Sequence, residues 1–138
     1  MKNKFLVFFI LIFLNSILKA ENLLIESKKI ILEKQKEFSI FEGDVVITTA
    51  DNNIIKSDYA EYDKKKGIII LKKNVRAIDN KKNEIDSNYA IYNENLKVLQ
   101  SIGFTKITTA ENYIIIGDDI IFDDINSFIT SNKKAIIT

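Results

Sequence analysis

The sequence predicts an all-β protein: an elongated, open-ended antiparallel β-jelly-roll, V-shaped in section and built of bent strands in thirty-residue repeats. Three observations predict it. The chain matches itself when shifted by thirty residues, in four successive copies without insertion or deletion. Within each copy apolar and polar residues alternate with the period of a half-buried strand. And the spacing between buried-type positions switches from even to odd inside the strands, which a straight strand cannot accommodate.

The chain opens on a leader. Lys2 and Lys4 precede an unbroken apolar run from Phe5 to Leu14, followed by Ile17, Leu18 and then Lys19-Ala20-Glu21. This is the anatomy of a secretory signal peptide over residues 1–20, with cleavage expected after Ala20, although Leu18 is a less favoured residue than Ala at the −3 position. The run is shorter than the roughly 20 residues a membrane-crossing helix needs, so a retained anchor is the weaker reading.

The mature domain is expected over residues 21–138. Ile25, Ile55, Ile85 and Ile115 start the four copies, each followed by a small residue (Ser27, Ser57, Ser87, Gly117) and then an apolar pair: Ile30/Leu32, Ala60/Tyr62, Ala90/Tyr92, Ile120/Phe122. Phe38, Ile68, Val98 and Phe128 also fall thirty apart, as do Val45, Val75, Thr105 and Ala135, and Ile47, Ala77, Ile107 and Ile137. An Ile- and Lys-rich composition aligns with itself easily, but that would not set Ser57-Asp58-Tyr59-Ala60 over Ser87-Asn88-Tyr89-Ala90. Turn residues tolerant of positive φ lie between the strands, at Asp51-Asn52-Asn53, Asp63 to Gly67, Asn80 to Asn83, Asn93-Glu94-Asn95 and Glu111-Asn112.

The strands must bend. Ile70 to Val75 and Ile55 to Ala60 are odd steps, so a bulge is needed to return both members to one side, with Gly43, Lys73, Gly103 and Lys133 at one kind of bend and the Ser/Gly place at the other. A strand bent this way passes from one sheet to a facing one. A single unit buries about four to six side chains at roughly 1.5–3 kcal/mol each, which falls short of about 1.5 kcal/mol per ordered residue. Units must therefore stack, and the interior becomes one apolar trough. Tyr62, Tyr92 and Phe122 form an inward aromatic ladder by register, either as plain core or as contact for a lipid chain.

Several function classes drop out. The chain has no Cys, no His and no Pro. Thiol chemistry, a lipoprotein cysteine and the commonest general base are thereby removed. Past the leader, 17 basic against 19 acidic residues leave no basic footprint for nucleic acid. No cofactor or catalytic constellation is visible, and an enzyme is not expected. Asp118, Asp119, Asp123 and Asp124 lack the Gly and terminal Glu of a calcium loop, so turn and outward positions explain them better than a metal site. Lysines at 28–29, 64–66, 81–82 and 133–134 read mainly as solvated turn charge rather than headgroup contacts.

Two stretches stand out: Phe41-Glu42-Gly43-Asp44-Val45-Val46-Ile47, echoed by Leu71-Lys72-Lys73-Asn74-Val75-Arg76, and Ser57-Asp58-Tyr59-Ala60-Glu61-Tyr62-Asp63, echoed by Ser87-Asn88-Tyr89-Ala90-Ile91-Tyr92-Asn93. They resemble the OstA-like (organic solvent tolerance protein A) domain of lipopolysaccharide transport. The similarity covers roughly residues 23–138, and the third echo departs from it at Asp119-Ile120. The resemblance implies a β-jelly-roll whose apolar groove holds lipid A acyl chains of lipopolysaccharide. It also implies rolls joined edge to edge with other jelly-roll transport proteins in a periplasmic bridge to the outer membrane. The domain occurs both as a free periplasmic protein and ahead of the barrel of the outer-membrane assembly protein. Because the chain stops inside a strand at Ala135-Ile136-Ile137-Thr138, a partial chain is expected, which leaves the barrel protein open.

On this reading Phe38, Ile40, Val45, Ile47, Ile55, Tyr62, Ile68, Ile70, Val75, Ile85, Tyr92, Val98 and Ile107 line a groove that shields acyl chains. Unpaired strands at the two ends are templates for strand addition to a partner. The alternative is a structural or adhesive exported β-repeat protein with a fully packed core. A third reading, an uncleaved membrane-tethered relative of the bridge, turns on the leader.

Overall fold

A computed structural model describes residues 23–138, so the leader read over 1–20 lies outside the described residues. The strands are Leu24–Glu26 (β1), Lys29–Glu33 (β2), Phe38–Thr48 (β3), Ile54–Asp63 (β4), Ile68–Ile78 (β5), Glu84–Asn93 (β6), Val98–Ser101 (β7), Phe104–Thr108 (β8), Ile114–Asp118 (β9), Ile120–Asp123 (β10), Phe128–Ser131 (β11) and Ala135–Ile137 (β12). One 3₁₀ turn, Lys34–Lys36, joins β2 to β3. All pairings are antiparallel, within one unclosed 12-stranded sheet.

That sheet is folded along a line of irregularities. Register shifts fall between Glu42 and Val45 on β3, Lys56 and Tyr59 on β4, and Lys72 and Val75 on β5. Gly43, Asp44, Lys73, Asn74 and Gly103 take positive φ along this line. Farther along the chain the same corner becomes a break, between β7 and β8, β9 and β10, and β11 and β12. The result is two facing walls. Wall one contains β2, residues 38–42, 59–63, 68–72 and 89–93, then β7, β10 and β11; wall two contains β1, residues 45–48, 54–57, 75–78 and 84–87, then β8, β9 and β12. The small residue of each repeat closes the corner: Ser27, Ser57 and Ser87 each donate a hydroxyl hydrogen bond to the carbonyl two residues on, at 2.9, 3.0 and 3.2 Å.

The open sides of both walls are rims of turns, and they too repeat by thirty. On wall two, Thr49 Oγ1, Asp79 Oδ1 and Thr109 Oγ1 accept from the backbone N–H four residues later, and Asn52, Lys82 and Asn112 take positive φ. On wall one, Asp63, Asn93 and Asp123 accept from the N–H three residues later, and Gly67, Lys97 and Ser127 take positive φ. Neighbouring turns are also tied to each other, through Asn80 N to Asn53 Oδ1 (3.0 Å), Ala110 N to Asn83 Oδ1 (3.1 Å) and Glu94 N to Gly67 O (2.9 Å). Backbone groups that would be orphaned at a free rim are thus satisfied by the adjacent rung.

The core is the space between the walls. Phe41, Ala60, Ile69, Leu71, Ala90, Tyr92, Leu99 and Ile120 from wall one meet Val45, Ile47, Ile55, Val75, Ala77, Ile85 and Ile107 from wall two in one cluster. This corrects part of the face assignment made above. Val45, Ile47, Ile55, Val75, Ile85, Tyr92 and Ile107 are buried inward, and Tyr62 packs against them. Phe38, Ile40, Ile68, Ile70 and Val98 lie instead on the outer face of wall one, in register with Asp63, Glu61 and Asn93. Their inward neighbours are Ser39, Phe41, Ile69, Leu71 and Leu99, of which Ile69 and Leu71 are fully buried. The reason is the corner. In β4 the buried positions step by three across it, from Ser57 to Ala60, whereas in β3 and β5 they step by four, from Phe41 to Val45 and from Leu71 to Val75. The odd step holds for Ile55 to Ala60 but not for Ile70 to Val75, because the bulge adds its extra residue to β3 and β5 only.

Candidate functional site

The inward side chains form ladders along the trough. On wall one the outer ladder runs Leu32, Ser39, Tyr62, Ile69, Tyr92, Leu99, Phe122, Ile129, in direct cross-strand register. The expected aromatic ladder of Tyr62, Tyr92 and Phe122 is therefore present, with an aliphatic residue between successive rings. Wall two presents Ile25, Ile47, Ile55, Ala77, Ile85, Ile107, Ile115 and Ile137 in the same way. Aromatic and β-branched cross-strand pairs are the favourable unit of sheet packing. Here they also make the trough wall almost wholly hydrocarbon.

The trough is not uniform. At the first rungs, Leu23, Ile25, Ser39, Phe41 and Tyr62, together with the charged Lys64 and Glu94, line a pocket of about 300 Å³ that opens to solvent. In the middle, Ile55, Ala77, Ile85, Tyr92, Leu99 and Phe122 close to a cavity of about 20 Å³, room for about one water molecule. Tyr92 is held neutral there: burial pushes its phenol up to about 12, reinforced by the carboxylates of Asp51, Asp124 and Glu94. Near the corner the interior turns polar. Thr105 Oγ1 donates to Ser101 Oγ (2.7 Å), which donates to the Ile120 carbonyl and accepts from the Ile120 N–H, both at 3.1 Å.

Across the mouth, the two rims touch through side chains. Asn53 Nδ2 donates to Asp124 Oδ2 at 2.7 Å, Lys81 Nζ donates to Ser127 Oγ at 2.6 Å, and Lys97 pairs with Asp51. Two of these bridges are repeat equivalents: Asp51 and Lys81 lie thirty apart on the rim of wall two, and Lys97 and Ser127 lie thirty apart on the rim of wall one. Half-exposed contacts of this kind are worth at most about 1 kcal/mol each.

Among the described residues no group of three or more acidic side chains is placed to hold a metal ion. Three of the four aspartates are used separately. Asp119 accepts from Gly103 N (2.8 Å) and pairs with Lys133 (2.5 Å), Asp123 accepts twice from Asn126, and Asp124 accepts from Asn53. The Gly103 N–H and Lys133 hold the Asp119 carboxyl below the usual carboxylate range. Of the lysine groups, Lys28 pairs with Asp44, Lys29 with Glu42 and Lys66 with Asp63, as turn and corner charge does.

Sequence reasoning missed Phe41, Ile69, Leu71 and Leu99 as trough residues, and the rim bridges altogether. A signal for the first group existed. Ser39, Ile69, Leu99 and Ile129 are thirty apart, as are Phe41, Leu71, Ser101 and Ser131, and each series lies on the inner face in the structure.

No protein-family model matches the chain, and no curated protein matches it in sequence. In three dimensions it is similar to a solved structure, the crystal structure of LptH from Pseudomonas aeruginosa, described as the LptA-homologous periplasmic component of the lipopolysaccharide transport device. The TM-score is 0.74 at 11% identity, over 86% of this chain and 94% of that one. The folded sheet with its two walls, open ends and repeating corners is therefore the OstA-like jelly-roll fold of lipopolysaccharide transport proteins.

Proposed function

We propose that this chain is a non-catalytic periplasmic carrier that holds acyl chains of lipopolysaccharide between its two walls as part of a bridge to the outer membrane. The observation that carries this reading is the predominantly hydrocarbon lining of a trough whose fold is shared with a lipopolysaccharide transport component. Burying a methylene gains about 0.8 kcal/mol, so about ten methylenes of one chain gain on the order of 8 kcal/mol. No catalytic group is needed for that. The leader over 1–20 delivers the chain to the periplasm and is removed there. Ile30 and Leu32 at one end and Ile136 and Ile137 at the other are exposed apolar residues on end strands. Those edges take up strands of neighbouring jelly-roll proteins, or of the periplasmic part of an outer-membrane barrel.

The packed middle of the trough favours a second reading, a structural β-repeat protein with a filled core. Photo-crosslinking in cells separates the two. With p-benzoylphenylalanine replacing Tyr62, inside the open pocket, lipopolysaccharide adducts are expected; with the same residue replacing Ile70, on the outer face, they are not. No adduct from Tyr62, or equal adducts from both positions, would sink the carrier reading.

A further inference from the structure

We propose that the side-chain bridges Lys97 to Asp51, Asn53 to Asp124 and Lys81 to Ser127 form a releasable clasp, and that an acyl chain enters the middle of the trough sideways, between the two rims, when the clasp lets go. This rests on the carrier reading of the same trough. The middle holds about one water molecule, so no acyl chain fits beside Tyr92 and Leu99 until the walls part. Parting can occur on one side only. At the corner β3, β4, β5 and β6 run unbroken from wall to wall, and the interior adds the Ser101, Thr105 and Ile120 hydrogen bonds. At the mouth the walls meet through side chains alone, each reachable by water, with Lys97 and Asp51 about one third exposed.

Each bridge joins a turn of wall two's rim to a turn farther along wall one's rim: turn 49–53 to turns 93–97 and 123–127, and turn 79–83 to turn 123–127.

The chain has no cysteine, so site-directed spin labels can be placed cleanly. Nitroxides at Asn52→Cys and Ile125→Cys sit on exposed positions of the two rims and leave all three bridges intact. Their separation is measured by double electron–electron resonance with and without dodecanoic acid, while binding of cis-parinaric acid is followed by fluorescence on the same sample. The clasp predicts that the distance lengthens by about 4 Å, one layer of packed carbon atoms, and that Lys97→Ala raises the wide population severalfold before any ligand is added. Binding with an unchanged distance, or a Lys97→Ala distribution identical to the parent's, would overturn the clasp and leave the carrier reading standing. No binding of either acid would overturn both.

Discussion

A Cβ atom on Gly67 would lie 2.5 Å from Nδ2 of Asn95, because the turn at 63–67 stacks directly on the turn at 93–97. Gly67 also takes φ +65°, where an L side chain is strained. Gly67→Ala must therefore push Asn95 off the Lys66 carbonyl it holds at 3.1 Å. The expected loss is about 2–3 kcal/mol, from left-handed strain plus a broken hydrogen bond. Gly103→Ala has the same backbone demand but nothing within 4 Å, and should cost only about 1 kcal/mol. Urea unfolding of the two variants checks the difference.

Adjacent residues of β5 give a sharper test of the walls. Leu71 is fully buried, whereas Ile70 faces outward beside Glu61. Leu71→Ala should cost about 2–5 kcal/mol and Ile70→Ala about 1 kcal/mol or less. The opposite order in thermal unfolding would mean that the strand is packed the other way round.

Ser101 is the hub of the buried polar cluster at the corner, serving Thr105 and both backbone groups of Ile120. Replacing it with Ala takes the hydroxyl from the buried Ile120 N–H and carbonyl, while Thr105 keeps its bond to the Gly103 carbonyl (3.0 Å), at about 1–3 kcal/mol. Its repeat counterpart Ser131 makes a similar set of bonds to Asp118 and Lys133 at an exposed site, where water substitutes. Ser131→Ala should fall within about 0.5 kcal/mol of the parent.

Tyr92 makes stability fall at high pH. Its phenol ionises at about 12 when folded and near 10 when unfolded. A group whose folded value is raised stabilises the fold fully below its unfolded value, and that contribution is lost as pH rises from about 10 towards 12. A tyrosinate absorbance titration should show a late step that disappears in Tyr92→Phe, and the variant should lose less stability over that range.

Much of this was legible in the residues. The repeat named the strands, the turns and the corner, and the Ala60/Tyr62 and Ala90/Tyr92 pairs point inward as their spacing requires. What failed was parity in wall one. Ile68-Ile69-Ile70-Leu71 is apolar at every position, so alternation carries no information about which face is buried, and the corner geometry decides it. In Phe38-Ser39-Ile40 the alternation is clear but misleading, because the strand's register with β4 sets Ser39 opposite Tyr62 on the inner face. The rim bridges were illegible for another reason. Asn53 and Asp124 are 71 residues apart, and only the folding over of the whole sheet brings them together.

Every ladder, corner and stacked turn in this molecule advances by the same thirty residues, and each rung bonds chiefly to its immediate neighbours. Length is consequently a free variable for such a chain, but only in whole steps. A tandem duplication of thirty residues would extend both walls with all faces preserved, whereas gaining a single residue inside a strand would turn a hydrocarbon wall to the solvent. Descendants of a common ancestor can thus differ in reach by entire rungs and still close over the same interior.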